Sequence, residues 1–256
     1  MISDIRTLLT SLQERICDTL EELDGTSKFS KPSIPQGVKG FSNPRILSGG
    51  YSIEKAAVNF THSVGTSLPE AVSDTRRNLA GSPFEAVSLS IIVHPLNPFV
   101  PTTHMNLRFF VVEAEEVEWH FGGGYDLTPI YGFVEDATLW HSGAEKAAGD
   151  SYTKMKKDCD SYFFLPHRGE HRGIGGLFFD DLRGPDFHSS LLKIEQIGNS
   201  FMPMYEEIFR RRGTMKFSDR NRAFQLFRRG RYAEFNLLFD RGTKYGLQSG
   251  KRVENV

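Results

Sequence analysis

The chain has 256 residues and a formal net charge of -1, with 31 Lys and Arg against 32 Asp and Glu. That length buries a full core as one large domain or, at most, two. The balanced charge argues against a globally basic nucleic-acid binder and against an acidic disordered tail.

Two cysteines, Cys17 and Cys159, make neither a disulfide framework nor a cysteine zinc site, which fits a reducing compartment. No apolar run approaches the ~18 residues of a membrane span. The opening MISDIRTLLTSLQERICDTLEEL carries acidic residues at helical period, so it reads as structure and not as a leader, and a cytoplasmic location is expected.

Taken in order, residues 4–23 predict a helix: Ile5, Leu8, Leu9, Leu12, Ile16, Leu20 and Leu23 share one face, and Gly25 ends it. Residues 26–50, rich in Ser, Pro and Gly, predict a long irregular segment. Ile53 to Phe60 and Ala86 to Val93 predict strands. In the next stretch, His104, Asn106 and Arg108 alternate with Met105, Leu107 and Phe109, which in a strand separates a polar face from an apolar one. A second strand, Val117 to Phe121, leads into Gly122-Gly123-Gly124 and delivers Asp126 just beyond. The triple glycine is open to two readings, a tight turn or bulge, or a place of close approach. Imidazole, amide, guanidinium and carboxylate in this order suggest a floor for an anionic ligand that carries N–H groups.

Helices are expected at Glu135 to Ala148 and Asp150 to Phe164. A His- and Arg-dense loop, PHRGEHRG, then feeds an aromatic strand up to residue 182. Further helices fill 186–212, interrupted by Pro203, and 218–229. Arg231 to Asp240 predicts a strand, turned by Arg241-Gly242-Thr243. No repeat or linker divides the chain. The expected fold is α+β: a single domain (1–256) with a large, mostly antiparallel sheet flanked by helices on both sides.

Three groupings carry candidate chemistry. Among His94, His104, His141, His167 and His171 only His167 and His171 have the i, i+4 spacing of a metal helix, and Gly169 between them argues for a loop, so carboxylate binding or proton relay is favoured over a metal. Arg168 and Arg172 beside Gly169, Gly173, Gly175 and Gly176 match no nucleotide motif but suit carboxylates through paired donors. Arginines from Arg210 to Arg231 interleave with Phe224, Phe227 and Tyr232. A solvated or ion-paired face is the first account of them, and RNA binding the second.

Several segments together resemble the oxygen-dependent coproporphyrinogen III oxidases of haem biosynthesis: HPLNPFVPTTHMNLRFF (94–110), WHFGGGYDLTP (119–129), DSYFFLPHRGEHRGIGGLFFDDL (160–182) and FRRGRYAEFNLLFDRGTKYGLQSGKR (227–252), with EKAAVNF (54–60) a weaker fifth. The resemblance implies an enzyme converting two propionates of coproporphyrinogen III to vinyl groups with molecular oxygen as co-substrate and no required cofactor. It also implies a homodimer, with residues from about 227 to 252 contributing to the interface, and neither a nucleic-acid partner nor a transmembrane segment. It implies catalytic roles for His104, Asp126 and Arg172, with His104 as proton donor, Asp126 holding pyrrole N–H groups and Arg172 placed for a propionate. Ser90, Asn106, Arg108, Arg168, Gly250, Lys251 and Arg252 become substrate contacts, and His94, His141 and His167 match histidines proposed to bind a divalent cation in some bacterial members.

The chain departs from the pattern at His171, where an arginine is usual, and at Lys251, where a small residue is. It also stops at Val256, where the resembling proteins continue, so a missing or truncated tail is expected. Those departures motivate a rival expectation, a tetrapyrrole carrier of the same fold without turnover.

Overall fold

The computed structural model describes residues 1–32, 40–67, 81–114 and 116–248. Helix α1 (Ile2–Asp24) buries Ile5, Leu9, Leu12, Ile16 and Leu20 along the predicted stripe, and Gly25 closes it with φ 82°. Its last residue, Asp24, is buried and accepts hydrogen bonds from the backbone N–H groups of Ser27, Tyr51, Ser52 and Ile53. One carboxylate thus ties the helix end to the first hairpin of the sheet. Burial opposes ionisation of Asp24, but those four N–H donors outweigh it and hold the pKa at about 2.

The sheet has six antiparallel strands in the order β1-β2-β3-β4-β5-β8, namely β1 (Gly40–Ser48), β2 (Ile53–Gly65), β3 (Phe84–Pro95), β4 (Thr102–Glu113), β5 (Val117–Thr128) and β8 (Gly175–Leu182). Two short strands, β6 (Phe164–Leu165) and β7 (Glu170–His171), form a separate hairpin. One face carries Val58, Phe60, Leu89, Ile91, Met105, Leu107, Phe109, Phe121 and Tyr125, all buried against α1, α2 (Val134–Ala148) and α4 (Phe187–Arg212). The opposite face is partly covered by α3 (Tyr152–Tyr162) and α5 (Asp219–Leu238), through a smaller cluster of Cys159, Phe163, Leu165 and Phe235 packed with Phe178. The expected single α+β domain, with helices on both sides of an antiparallel sheet, is the architecture found.

Four local expectations are corrected. The segment called irregular contains β1, whose Pro44 is tolerated because β1 is an edge strand, bonded on its outer side, among the described residues, only by Ser30 at Ile46. The strand expected to end at Phe121 runs on through the three glycines to Thr128. Pro203 does not interrupt α4: it removes one backbone bond, and Met202, Met204 and Tyr205, all buried, pack the helix straight through. RYAEFNLLFD is not a strand but the end of α5. Tyr232 and Phe235 are three apart and both buried, so helical period wins over the apparent alternation, and α6 (Arg241–Gln248) replaces the expected turn. Among the described residues, no helix is long and apolar enough to cross a membrane.

Asp24→Ala should cost about 2–4 kcal/mol, because several buried N–H donors lose a charged acceptor. The sign of the pH effect follows from the depressed pKa: the Asp24 contribution is fully present above the ordinary carboxylate value of 3.8 and is lost as pH falls through about 2. Urea titrations of both proteins at pH 7 and pH 2 should show the gap in midpoint closing at the lower pH.

Candidate active site

The register of β4 against β5 sets His104 opposite Asp126, Asn106 opposite Gly124, and Arg108 opposite Gly122. The row of Asn106 continues to Ser90 on β3 and Asn59 on β2, and the row of Arg108 continues to Ser88 and Thr61. The predicted alternation therefore holds: Met105, Leu107 and Phe109 are buried, and the polar set lies together on the other face. Two of the glycines are required by geometry. Gly123 and Gly124 both have φ 145°, and a Cβ would stand 2.1 Å from the Asn106 carbonyl oxygen or 1.9 Å from that of Leu177. The triple glycine is a strand interior with a register shift beside it, and it leaves a flat floor in front of Asn106 and Arg108.

Asp126 is 1% exposed, and its Oδ1 accepts from Arg172 Nη2 at 2.7 Å and from His104 Nδ1 at 3.0 Å. Arg172, 3% exposed, is delivered by the turn after β7, where its N–H bonds the Phe163 carbonyl. Its guanidinium lies 4.1 Å from the ring centroid of Phe163, 4.3 Å from that of Tyr232 and 4.8 Å from that of Phe235, and Nη1 donates to Asn236 Oδ1 at 2.9 Å. Burial alone would push the Asp126 pKa up, but the Arg172 charge, followed by the His104 hydrogen bond, overcomes it and holds the carboxyl below its ordinary range.

An ionised carboxylate only accepts, so the His104 proton facing it sits on Nδ1. That leaves Nε2 as the ring atom able to exchange a proton with a ligand, on a side chain 25% exposed. The spacing anticipated His104 beside Asp126. It did not anticipate that the carboxylate would be sealed: the expected lone acceptor for a ligand's N–H groups is already engaged. Arg172 is likewise not at a rim but beneath the site, on Asp126.

Arg108 Nη2 donates to Asp180 Oδ1 at 3.2 Å across Gly122, and Arg241 bonds the other Asp180 oxygen while covering the ring of Tyr162. The sequence offered weak signals for these partners. Asp180 sits in the aromatic strand FFDDL, and Arg241 and Asn236 lie where a strand and turn were expected instead of helices. Arg168 turns away from the floor, with Nε 2.7 Å and Nη2 2.8 Å from Glu234, and His167 shares that carboxylate at 2.7 Å. His171 is exposed, its Nδ1 3.2 Å from the Asp160 carbonyl oxygen. Gly250, Lys251 and Arg252 lie outside the described residues.

The three histidines matched to a cation do not converge. His94 packs edge-on against Tyr232 with Nδ1 3.3 Å from Thr102 Oγ1, and burial pushes its pKa down to about 4. His141 lies between the Ile174 carbonyl and the Tyr152 hydroxyl, and His167 is on Glu234. Among the described residues, no group of three or more His, Cys, Asp or Glu could hold a metal ion. The arginine-rich stretch is ion-paired: Arg212 with Asp136 and Glu135, Arg211 with Asp136 and Glu207, Arg222 and Arg229 with Glu54, and Arg228 and Arg231 with Glu170.

The whole chain from residue 4 to residue 256 matches the family model described as coproporphyrinogen III oxidase, and the chain belongs to that family.

Arg172→Met should cost about 3–5 kcal/mol, because it strands a buried carboxylate, whereas pairing it with Asp126→Leu should recover much of the loss. Urea unfolding of both single variants and the double variant measures the coupling; additive losses would mean that the pair is not the interaction described.

Proposed function

We propose that this member of the family is an oxygen-dependent coproporphyrinogen III oxidase, acting in tetrapyrrole biosynthesis by turning two propionate arms into vinyl groups. The observation that carries the reading is the His104–Asp126–Arg172 arrangement at the edge of a flat, donor-lined floor. A macrocycle of pyrrole N–H groups with four acid arms needs such a floor: flat where the ring lies, cationic where the arms end, and with one proton-exchanging group. Burying those carboxylates without partners would be prohibitive.

In the proposed reaction the ring rests over Gly122 and Gly124, with Ser90, Asn106 and Arg108 as substrate contacts. His104 Nε2 is the group that moves a proton to or from the substrate. Asp126 and Arg172 act through it, fixing the Nδ1–H tautomer and the ring's orientation, as a buried carboxylate does for a catalytic imidazole elsewhere. The electron-rich pyrrole reacts with oxygen. In each cycle the propionate loses its carboxylate as carbon dioxide and one hydrogen, with its bonding electron pair, from the carbon attached to the pyrrole, and oxygen, taking up that hydride equivalent and one proton, leaves as hydrogen peroxide. Arg108 and Arg241 share Asp180 and are the cations nearest the floor for the arms.

We take the working unit to be a homodimer. Phe227 is 61% exposed, Leu237 62% and Leu238 48%, a concentration of apolar surface on one helix that water alone would not favour.

Two measurements test these readings. Supplied with coproporphyrinogen III, the protein should release carbon dioxide in air and none under nitrogen, and Asp126→Asn should lower turnover at least 100-fold in protein that circular dichroism shows still folded, although the stranded Arg172 charge lowers its stability by a few kcal/mol; binding without aerobic release would leave only the carrier. Light scattering should give the mass of two chains, and Phe227→Glu with Leu237→Glu should halve it; a wild-type mass of one chain would remove the dimer.

A further inference from the structure

We propose that Asn59, Thr61 and Ser88, on β2 and β3, form a neutral carboxylate-binding subsite that holds an acid arm of the substrate remote from His104. This deepens the tetrapyrrole reading and rests on it. The three residues are neighbours in register: Asn59 faces Ser90, Thr61 faces Ser88, and Ser88 faces Arg108 on β4. Strand alternation places them on the same face as Asn106 and Arg108, and all three are half-buried.

Three features set this patch apart from an ordinary wet sheet face. First, its side chains are short where a solvated face usually carries long charged ones; flanking it on that face are Ser42, Pro44, Ala57, Ser63, Ala86, Ser90 and Arg108, of which Arg108 alone is charged. Short side chains on adjoining strands make a shelf level with the glycine floor of β5. Second, its donors are unspent. Among the described residues the hydroxyls of Thr61, Ser88 and Ser90 and the Asn106 amide make no hydrogen bond. Ser42 Oγ donates to Asn59 Oδ1 at 3.0 Å, which turns the Asn59 acceptor away and leaves its N–H₂ donors available. Third, the chemistry is donor-rich: hydroxyl and amide donors beside the Arg108 guanidinium, whose own partner Asp180 lies against Gly122 on β5 and not on β2 or β3. Such a set accepts a carboxylate and offers little to a cation.

Its position gives it a distinct task. β2 lies two strand intervals from β4, which carries His104, roughly 10 Å across the sheet at the usual spacing, and the rows of Asn59 and Thr61 meet β4 at Asn106 and Arg108, two and four residues along from His104. An arm seated there cannot also lie at His104, so the shelf would anchor a carboxylate that survives while another arm is placed for reaction. Neutral donors suit a retained arm, since they hold it without an ion pair that would have to be broken for product to leave.

The test uses coproporphyrin III, which has four carboxylates, and its tetramethyl ester as probes, titrated by absorbance into the full chain. The triple variant Asn59→Ala, Thr61→Val, Ser88→Ala should bind the acid about tenfold more weakly, about 1.4 kcal/mol, with no difference for the ester. Thr61→Val alone, nearly isosteric and favourable in a strand, should show a smaller loss of the same kind and serves if the triple variant does not fold. Equal affinity of wild type and variants for the acid would overturn the subsite while leaving the tetrapyrrole reading standing. Wild type binding acid and ester alike would overturn it too, and wild type binding neither would sink both.

Discussion

A buried ion pair governs this site. Placing Asp126 and Arg172 where neither is more than 3% exposed costs several kcal/mol per charge in desolvation, and only close pairing with further hydrogen bonds offsets that cost. The structure supplies both: a 2.7 Å contact between the charges, Asn236 on guanidinium Nη1, three aromatic rings around the guanidinium, and His104 on the carboxylate. Because Oδ1 of the ionised carboxylate accepts from His104 Nδ1, the imidazole in front of it is held in one tautomer and one orientation. In the proposed reaction the pair is therefore less a source of stability than a means of fixing where a proton moves.

The surrounding fold explains why the pair can exist. Arg172 comes from the turn after β7, Tyr232, Phe235 and Asn236 from α5, Phe163 from the end of α3, and Asp126 and His104 from neighbouring strands. Charged anchors hold α5 in place, with Arg222 and Arg229 both on Glu54 at the start of β2, and Gln225 reaching the Pro95 carbonyl. Hairpin β6–β7 is tied to the same helix by Arg168 and His167 on Glu234 and by Arg228 and Arg231 on Glu170. Of the arginines that invited an RNA-binding alternative, Arg222, Arg228, Arg229 and Arg231 are spent on this clasp in half-buried pairs, and Arg211 and Arg212 on Asp136 at the start of α2.

In front of the pair the sheet is deliberately plain. Glycines on β5 and small hydroxyl or amide side chains on β2, β3 and β4 keep the surface level, and Arg108 lies over Gly122, where a Cβ would come within 2.8 Å of its guanidinium. Flatness at the centre and donors around it are what a macrocycle with acid arms requires. Family membership and the geometry point to the same ligand class by separate routes.

From its residues alone the chain declared the α1 stripe, the alternation of β4, and the closeness of His104 to Asp126, because a period of two or of 3.6 is a local property that burial on one face writes directly into sequence. Family membership was also legible, since its segments are long and occur in order. Tertiary structure decided the rest. RYAEFNLLFD became helix because Tyr232 and Phe235 had to cover Arg172. The glycines stayed in a strand because the carbonyls of Asn106 and Leu177 left no room for a side chain. Arg172 went beneath the floor and not to its rim because a buried carboxylate drew it there, and the strength of that attraction depends on how much water the assembled fold excludes, which no local stretch of residues encodes.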